Sequence, residues 1–342
     1  MKKGIFAIGV LVVIGILFVS FLWREAGNYQ DTIYDMTKGR EEAVITIGIW
    51  ENGQIEYHLY GEDGEELPPM EHIYAIGSIT KTFTGSLIAK QVSEGKINPD
   101  DGIDKYIEVP EGCPVPTIKS LMTHTSGLSE QWEDMLEKEA DISFSRSDMI
   151  QILEEQNIET ENGEVCYSNY GSALAGTVAA NIEGGTYQEV MNRYLHDELA
   201  LKDTYIGEEG DLSNYWNWAK DDEMMAAGAI LSDVTDMLEY GRKHLEQEPA
   251  YLGLSQEKLC EFSEDYDCGY FWLIDSANDI IWHNGELCME NENGEEVGFQ
   301  SFLGFSPDRQ RVVVVLSNII AYDEEENSYT DILGYQLMEG GF

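Results

Sequence analysis

The sequence predicts an α/β (α+β) fold: an antiparallel sheet built from the N- and C-terminal segments, flanked by helices, with an all-α subdomain inserted between them. Three observations carry this. Two runs rich in β-branched and aromatic residues, 43–50 and 54–60, are separated by Asn52-Gly53, a strong hairpin signal. From Cys268 the chain returns to strand-like runs at 269–274, 280–282, 299–305 and 311–316. Between these ends, apolar residues recur at helical spacing, so one sheet is closed by both ends of the chain.

In order, residues 1–23 read Lys2-Lys3 and then an apolar run from Gly4 to Trp23. Twenty helical residues rise about 30 Å, the thickness of a bilayer core. The run exceeds a secretory signal and ends in Phe21-Leu22-Trp23-Arg24, a poor cleavage site. The expectation is a transmembrane anchor with Lys2 and Lys3 inside and the rest extracellular; secretion after signal cleavage is the alternative. Residues 24–42 are polar and read as a tether, and 43–342 as one domain. Within it, 43–95 with 260–342 form the α/β lobe and 96–259 the helical lobe. Helical spacing marks 83–92, 147–156, 172–182, 187–199 and 234–245, and a closing helix at 331–338. Pro110, Pro114 and Pro116 mark a loop between helices.

The chain has 342 residues, 65 acidic and 20 basic, for a net charge of −45. Such a surface excludes nucleic acid as a partner and disfavours anionic lipid or anionic polymer. Five cysteines (Cys113, Cys166, Cys260, Cys268, Cys288) show no Cys-x-x-Cys spacing, so no metal is expected. Cys260 and Cys268 are near enough in sequence to close a small loop, and buried thiols are the ordinary reading.

The chemistry centres on Tyr74-Ala-Ile-Gly-Ser-Ile-Thr-Lys-Thr-Phe83, where Ser78 and Lys81 precede an apolar helical run. Residues i and i+3 share a helix face, so an amine would sit one turn above a hydroxyl at a helix N-terminus, an arrangement suited to an activated nucleophile. Alone the spacing says little: Ser255-Gln-Glu-Lys258 repeats it. Three further pieces follow, Leu121-Met-Thr-His-Thr-Ser-Gly-Leu128, Tyr167-Ser-Asn169 and His283-Asn-Gly285. Tyr-x-Asn recurs at Tyr215-Trp-Asn217, whereas His-x-Gly occurs only at His283. Neither Gly-x-Ser-x-Gly nor His-Glu-x-x-His is present, which counts against an α/β-hydrolase or a zinc enzyme.

Taken together, these motifs resemble the serine β-lactamase and penicillin-binding-protein superfamily, in its class C β-lactamase-like branch of D,D-peptidases, D-aminopeptidases and esterases. The stretches at 95–101, 226–232, 306–308 and 316–318 extend the resemblance to residues 43–338. It implies acyl transfer through Ser78 with no cofactor. Lys81 would lower the cost of deprotonating Ser78. Tyr167 would be the partner base, needing a neighbouring cation because a phenol of pKa ~10 is a poor base at neutral pH. Asn169 would hydrogen-bond Lys81 and the substrate amide. The backbone N–H groups of Ser78 and of Glu286, after Gly285, would hold the oxyanion. His283, Gly285 and Glu286 would thus help bind substrate. His124 is read as fixing a loop, and His58, His72, His196 and His244 as surface or element-edge residues.

One departure bears on the substrate. Many penicillin-recognising relatives carry Lys-Thr-Gly where this chain has His283-Asn-Gly285. His283 is only partly charged near neutral pH, so carboxylate recognition weakens. Glu286, Glu290, Glu292, Glu295 and Glu296, expected near the cleft, would repel an anionic substrate. The sequence therefore points to a hydrolase acting on a peptide of D-alanyl type or an ester. A true class C-like β-lactamase and a non-catalytic sensor or binding protein of the same fold are the alternatives. Oligomeric state is not legible.

Overall fold

The computed structural model describes residues 28–128, 144–155, 163–207, 218–290 and 296–340. Among them no helix is long and apolar enough to cross a membrane. The apolar run 1–23, on which an anchor was expected, lies outside the described residues, as does Tyr215-Trp-Asn217.

The first described element is α1 (Tyr29–Thr37), capped by the Asn28 side chain. This corrects the reading of 24–42 as a tether. Thr32, Ile33, Met36 and Thr37 are buried, and Thr32 hydrogen-bonds Gln336 of the closing helix. Its short apolar stripe in polar surroundings marks a docked helix. Strands β1 (Ile45–Glu51) and β2 (Gln54–Tyr60) form the expected hairpin. Asn52 and Gly53 both have positive φ (50° and 85°), as a two-residue turn matched to strand twist requires.

After β3 (Tyr74–Ala75) and a single 3₁₀ turn (Gly77–Ile79) comes α2 (Thr80–Ser93), buried along most of its length. The helical region continues with α3 (Ile118–Met122), α4 (Arg146–Glu155), α5 (Asn169–Glu183), α6 (Tyr187–Arg193) and the short α7 (Met225–Gly228). Strand β4 (Leu231–Ser232) pairs with β3, returning the chain to the start of the Ser78 turn.

Helix α8 (Val234–Glu246), capped by Asp233, falls in the range read as the helical lobe but packs on the sheet. Short α9 (Tyr251–Leu254) follows. Strands β5 (Cys260–Glu261), β6 (Asp267–Cys268), β7 (Leu273–Asp275), β8 (Ile280–Glu290), β9 (Glu296–Ser306) and β10 (Arg311–Ser317) precede α10 (Tyr329–Met338).

The main sheet is antiparallel, in the order β2-β1-β10-β9-β8-β7-β6-β5. N-terminal β1 lies beside C-terminal β10, so both ends of the chain build it, as expected. Its two faces carry separate apolar layers. Ile45, Ile47, Val313, Phe302 and Trp282 pack with α1 and α10; Val312, Val314, Leu303 and Phe305 join the core under α2, α5 and α8. Period-two alternation along β8 and β9 thus decides which side chains meet the helical region.

Candidate active site

The site forms where the 3₁₀ turn before α2 meets β8 and the loop entering α5. Ser78 sits in that turn, half-buried, and Lys81 one turn further on, fully buried. Lys81 Nζ donates to Ser78 Oγ at 2.7 Å and to the Ala227 carbonyl at 2.7 Å. Tyr167 hydroxyl, from the loop before α5, hydrogen-bonds Ser78 Oγ at 2.7 Å. Lys81 Nζ also lies 5.0 Å from the centre of the Tyr167 ring, within cation–π range. The structure therefore brings together Ser78, Lys81 and Tyr167, which lie up to 89 residues apart in sequence.

The segment after β3 is fixed from both sides. Ile76 N–H donates to the Ile230 carbonyl at 3.0 Å, and Ile230 N–H to Thr80 Oγ1 at 3.1 Å. Ser301 Oγ, on β9, donates to the Ile76 carbonyl at 2.9 Å. Sequence reasoning assigned no role to Ala227, Ile230, Thr80 or Ser301. The resemblance at 226–232 was the available signal for the first two.

Strand β8 presses directly on this turn. A Cβ placed on Gly285 would stand 2.0 Å from the Ile76 carbonyl oxygen and 2.6 Å from Ser301 Oγ. One placed on Gly77, which has φ +50°, would stand 2.6 Å from Glu286 N. Glycine at both positions lets the Glu286 backbone lie against the residue preceding Ser78. This close approach gives the Gly of His-Asn-Gly a physical reason.

The Glu286 side chain corrects its expected place near the cleft. It alternates onto the other face of β8, where the carboxylate accepts from Gln300 Nε2 at 2.9 Å and from the Tyr322 hydroxyl. On that same face Asn284 Nδ2 donates to Asp331 of α10 at 2.7 Å. Burial, with Glu286 nearby, pushes the Asp331 carboxyl up to about 7. The side chains of Glu290 and Glu296, and residues Glu292 and Glu295, lie outside what is described.

His283 is 3 % exposed, on the strand face that carries Gly285. Its Nδ1 contacts the Asn284 carbonyl. A carbonyl only accepts, so Nδ1 carries the proton and Nε2 keeps a lone pair. Burial, and after it the charge of Lys81, lowers its pKa to about 3, so the ring is neutral at pH 7, not partly charged.

Asn169 is half-buried at the first turn of α5; the cap itself is Ser168, whose Oγ accepts from Gly171 N. The Lys81 donor bonds described above go to Ser78 and Ala227, not to Asn169. His124 fixes a loop, as read. With φ 57°, it accepts Ser168 N–H on Nδ1 at 3.1 Å, and its carbonyl accepts Cys166 N–H at 2.7 Å. Its ring stacks on Tyr167 with centres 4.3 Å apart. Burial first, then Lys81 and His283, hold it well below the usual histidine range. Two neutral imidazoles thus flank one lysine.

His244 departs from the surface reading. It is fully buried between Tyr240 and Trp272, and burial lowers its pKa to about 3. Ser255 of the second Ser-x-x-Lys hydrogen-bonds this ring at 3.3 Å and is itself fully buried, so it is closed to substrate. Among the described residues no cluster of His, Cys, Asp and Glu could hold a metal ion.

A sequence model of the family described as Beta-lactamase matches residues 33–333. Among curated proteins, a beta-lactamase of Providencia stuartii is 27% identical over 183 residues, 52% of this chain and 46% of that one. The D-alanyl-D-alanine-carboxypeptidase/endopeptidase AmpH of Escherichia coli (strain K12) is 26% identical over 189 residues, 52% of this chain and 48% of that one. A teichoic acid D-alanine hydrolase of Staphylococcus aureus is 27% identical over 177 residues, 50% of this chain and 43% of that one. The match thus spans about half the length of these relatives. A class C beta lactamase structure from Rhodobacter sphaeroides superposes with TM-score 0.69 at 18% identity, covering 92% of this chain and 99% of that one, which shows the fold.

Proposed function

From a chain that belongs to the beta-lactamase family, we propose a serine hydrolase that works through an acyl-enzyme on Ser78 and acts on D-alanyl esters or amides. The observation that carries this is the double hydrogen bond to Ser78 Oγ, 2.7 Å from both Lys81 Nζ and the Tyr167 hydroxyl. A surface serine has no such pair. In the reaction, Tyr167 starts as a phenolate stabilised by the Lys81 cation and takes the Ser78 proton as Oγ attacks the carbonyl. The N–H groups of Ser78 and Glu286 receive the oxyanion, and Tyr167 returns the proton to the leaving group. Water then repeats the sequence on the acyl-enzyme. Asn169, at the start of α5, is assigned to the substrate amide.

The substrate class rests on His283. A neutral ring stands where many penicillin-recognising relatives carry a permanent cation, so a substrate carboxylate has no dedicated counter-charge there. The net charge of −45 adds long-range repulsion for anions. Two relatives carry D-alanine in their names, one a carboxypeptidase/endopeptidase and one a hydrolase of teichoic acid D-alanine. Of these chemistries, a D-alanyl ester, which carries an ammonium and no carboxylate, suits this site best. The test compares hydrolysis of a D-alanine aryl ester with that of an acyl-D-alanyl-D-alanine peptide, using Ser78→Ala as control. Faster turnover of the ester, absent from the variant, is expected. Preference for the carboxylate-bearing peptide overturns the substrate class, and inertness towards both overturns the enzyme.

β-Lactam hydrolysis is the second reading, favoured by relatives named beta-lactamase; nitrocefin turnover would establish it. We also assign residues 1–23 as a membrane anchor with the catalytic domain outside, supported by the apolar run and Lys2-Lys3. Recovery of the full chain in carbonate-washed membranes, with the domain open to external protease, is expected. A soluble full-length chain would overturn it.

A further inference from the structure

Beneath the loop that supports Tyr167 lie two cysteines that the proposed reaction does not use. Cys260 on β5 and Cys268 on β6 are direct partners in an antiparallel pair. Opposed residues of such a pair have Cα atoms ~4.5–5.5 Å apart, inside the ~4.4–6.8 Å that a disulfide spans. Both are free thiols. Cys260 is half-buried and Cys268 is 1 % exposed, so Cys260 is the more accessible of the two to a small reagent. The neighbouring Cys268 thiol, then the Thr123 hydroxyl and Lys119, hold the Cys260 thiol below its ordinary value, while the neighbouring Cys260 and burial push Cys268 up. That asymmetry suits an attacking thiol and a resolving one.

The pair also touches the site's support. Cys268 Sγ donates to the Met122 carbonyl at 3.7 Å, and the next residue, Thr123, bonds Thr125 Oγ1 through its own Oγ1 at 2.8 Å. His124 stands between those threonines, stacks on Tyr167 and accepts Ser168 N–H.

We propose that Cys260 and Cys268 form a redox-modification site, closing a disulfide by exchange with a low-molecular-weight disulfide, and that closure loosens the His124 support of Tyr167. The Cys260 thiolate attacks the small disulfide, forming a mixed disulfide and releasing one small thiol. Cys268 then loses its proton and attacks the Cys260 sulfur, releasing the second. The protein gives up two electrons and two protons, and the small disulfide takes both. Once both sulfurs are bonded, neither thiol proton remains, and the Cys268 contact to the Met122 carbonyl weakens.

The experiment incubates the full chain with oxidised glutathione, alkylates remaining thiols and digests after glutamate, which cuts at Glu261 and Glu264 between the two cysteines. A linked pair of peptides carrying Cys260 and Cys268, lost on treatment with dithiothreitol and absent from Cys260→Ser, is expected. A stable glutathione adduct on Cys260, or linkage to Cys113, Cys166 or Cys288, overturns the site. Hydrogen exchange at the Ser168 amide reads the coupling without requiring any catalysis. Oxidation should speed it ~5-fold, the weight of about one hydrogen bond. An unchanged Ser168 rate in the linked protein overturns the coupling.

Discussion

Replacing Gly285 with alanine tests how closely β8 is pressed on the nucleophile turn. The new methyl would lie 2.0 Å from the Ile76 carbonyl oxygen, against 3.4 Å for ordinary contact, so the two backbones must part by about 1.4 Å. Neither can swing aside: Ile76 is held by Ile230 and Ser301, and Gly285 pairs with Ser301 in the sheet. Displacement on this scale costs ~100-fold or more in rate, as does loss of one oxyanion donor. The overpacking itself costs ~1–3 kcal/mol of stability. Gly241→Ala is the matched control, because its methyl would meet Val312 Cγ1 at 2.5 Å where α8 packs on β10. Both variants should melt lower, but only Gly285→Ala should lose kcat on a D-alanine aryl ester. A folded Gly285→Ala enzyme with kcat within ~3-fold of the native value would refute the argument that the Glu286 N–H acts on the oxyanion.

Tyr167→Phe keeps the ring stacked on His124 while removing the oxygen 2.7 Å from Ser78, so kcat should fall ~10²–10⁴-fold with little change in melting temperature. His283→Lys introduces a second amine beside Lys81 and should lower KM for carboxylate-bearing peptides ~10-fold, measured against the neutral ester. Asp331→Asn removes a buried carboxyl whose folded pKa, about 7, lies above its unfolded value of ~4. The stability this group contributes is complete below pH ~4 and is lost as pH rises through 7. The melting temperature of the variant relative to the native protein should therefore climb between pH 5 and 8, by an amount equivalent to at most ~4 kcal/mol; a constant gap would contradict the raised pKa.

The elements most legible in the sequence were those where local chemistry and long-range packing agree. Asn52-Gly53 specifies its turn by backbone conformation alone, and the valine-rich run at 311–316 reads as a strand, which the fold buries on both faces. Helical spacing at 234–245 announced α8, yet nothing local showed that α8 would lie on the sheet. Helix α1 was hidden because its few apolar residues gain their partners only when α10, some 300 residues later, closes over them. At the site, the resemblance carried by the motifs named Ser78, Lys81 and Tyr167, which the fold brings within hydrogen-bond reach. It could not show which face of β8 carries the Glu286 carboxylate, since side-chain direction reverses with every residue and is set by register with β9. Nor could it show burial of His283 and His244, whose neutrality depends on what packs around them.

The central claim is that Ser78 carries the acyl group. Its most direct test is intact-mass analysis of the full chain, quenched in acid during turnover of a D-alanine aryl ester, beside Ser78→Ala. The account predicts one D-alanyl adduct on the native protein, mapped to the peptide containing Ser78, and none on the variant. An adduct that persists in Ser78→Ala, or ester turnover undiminished by the substitution, would contradict it.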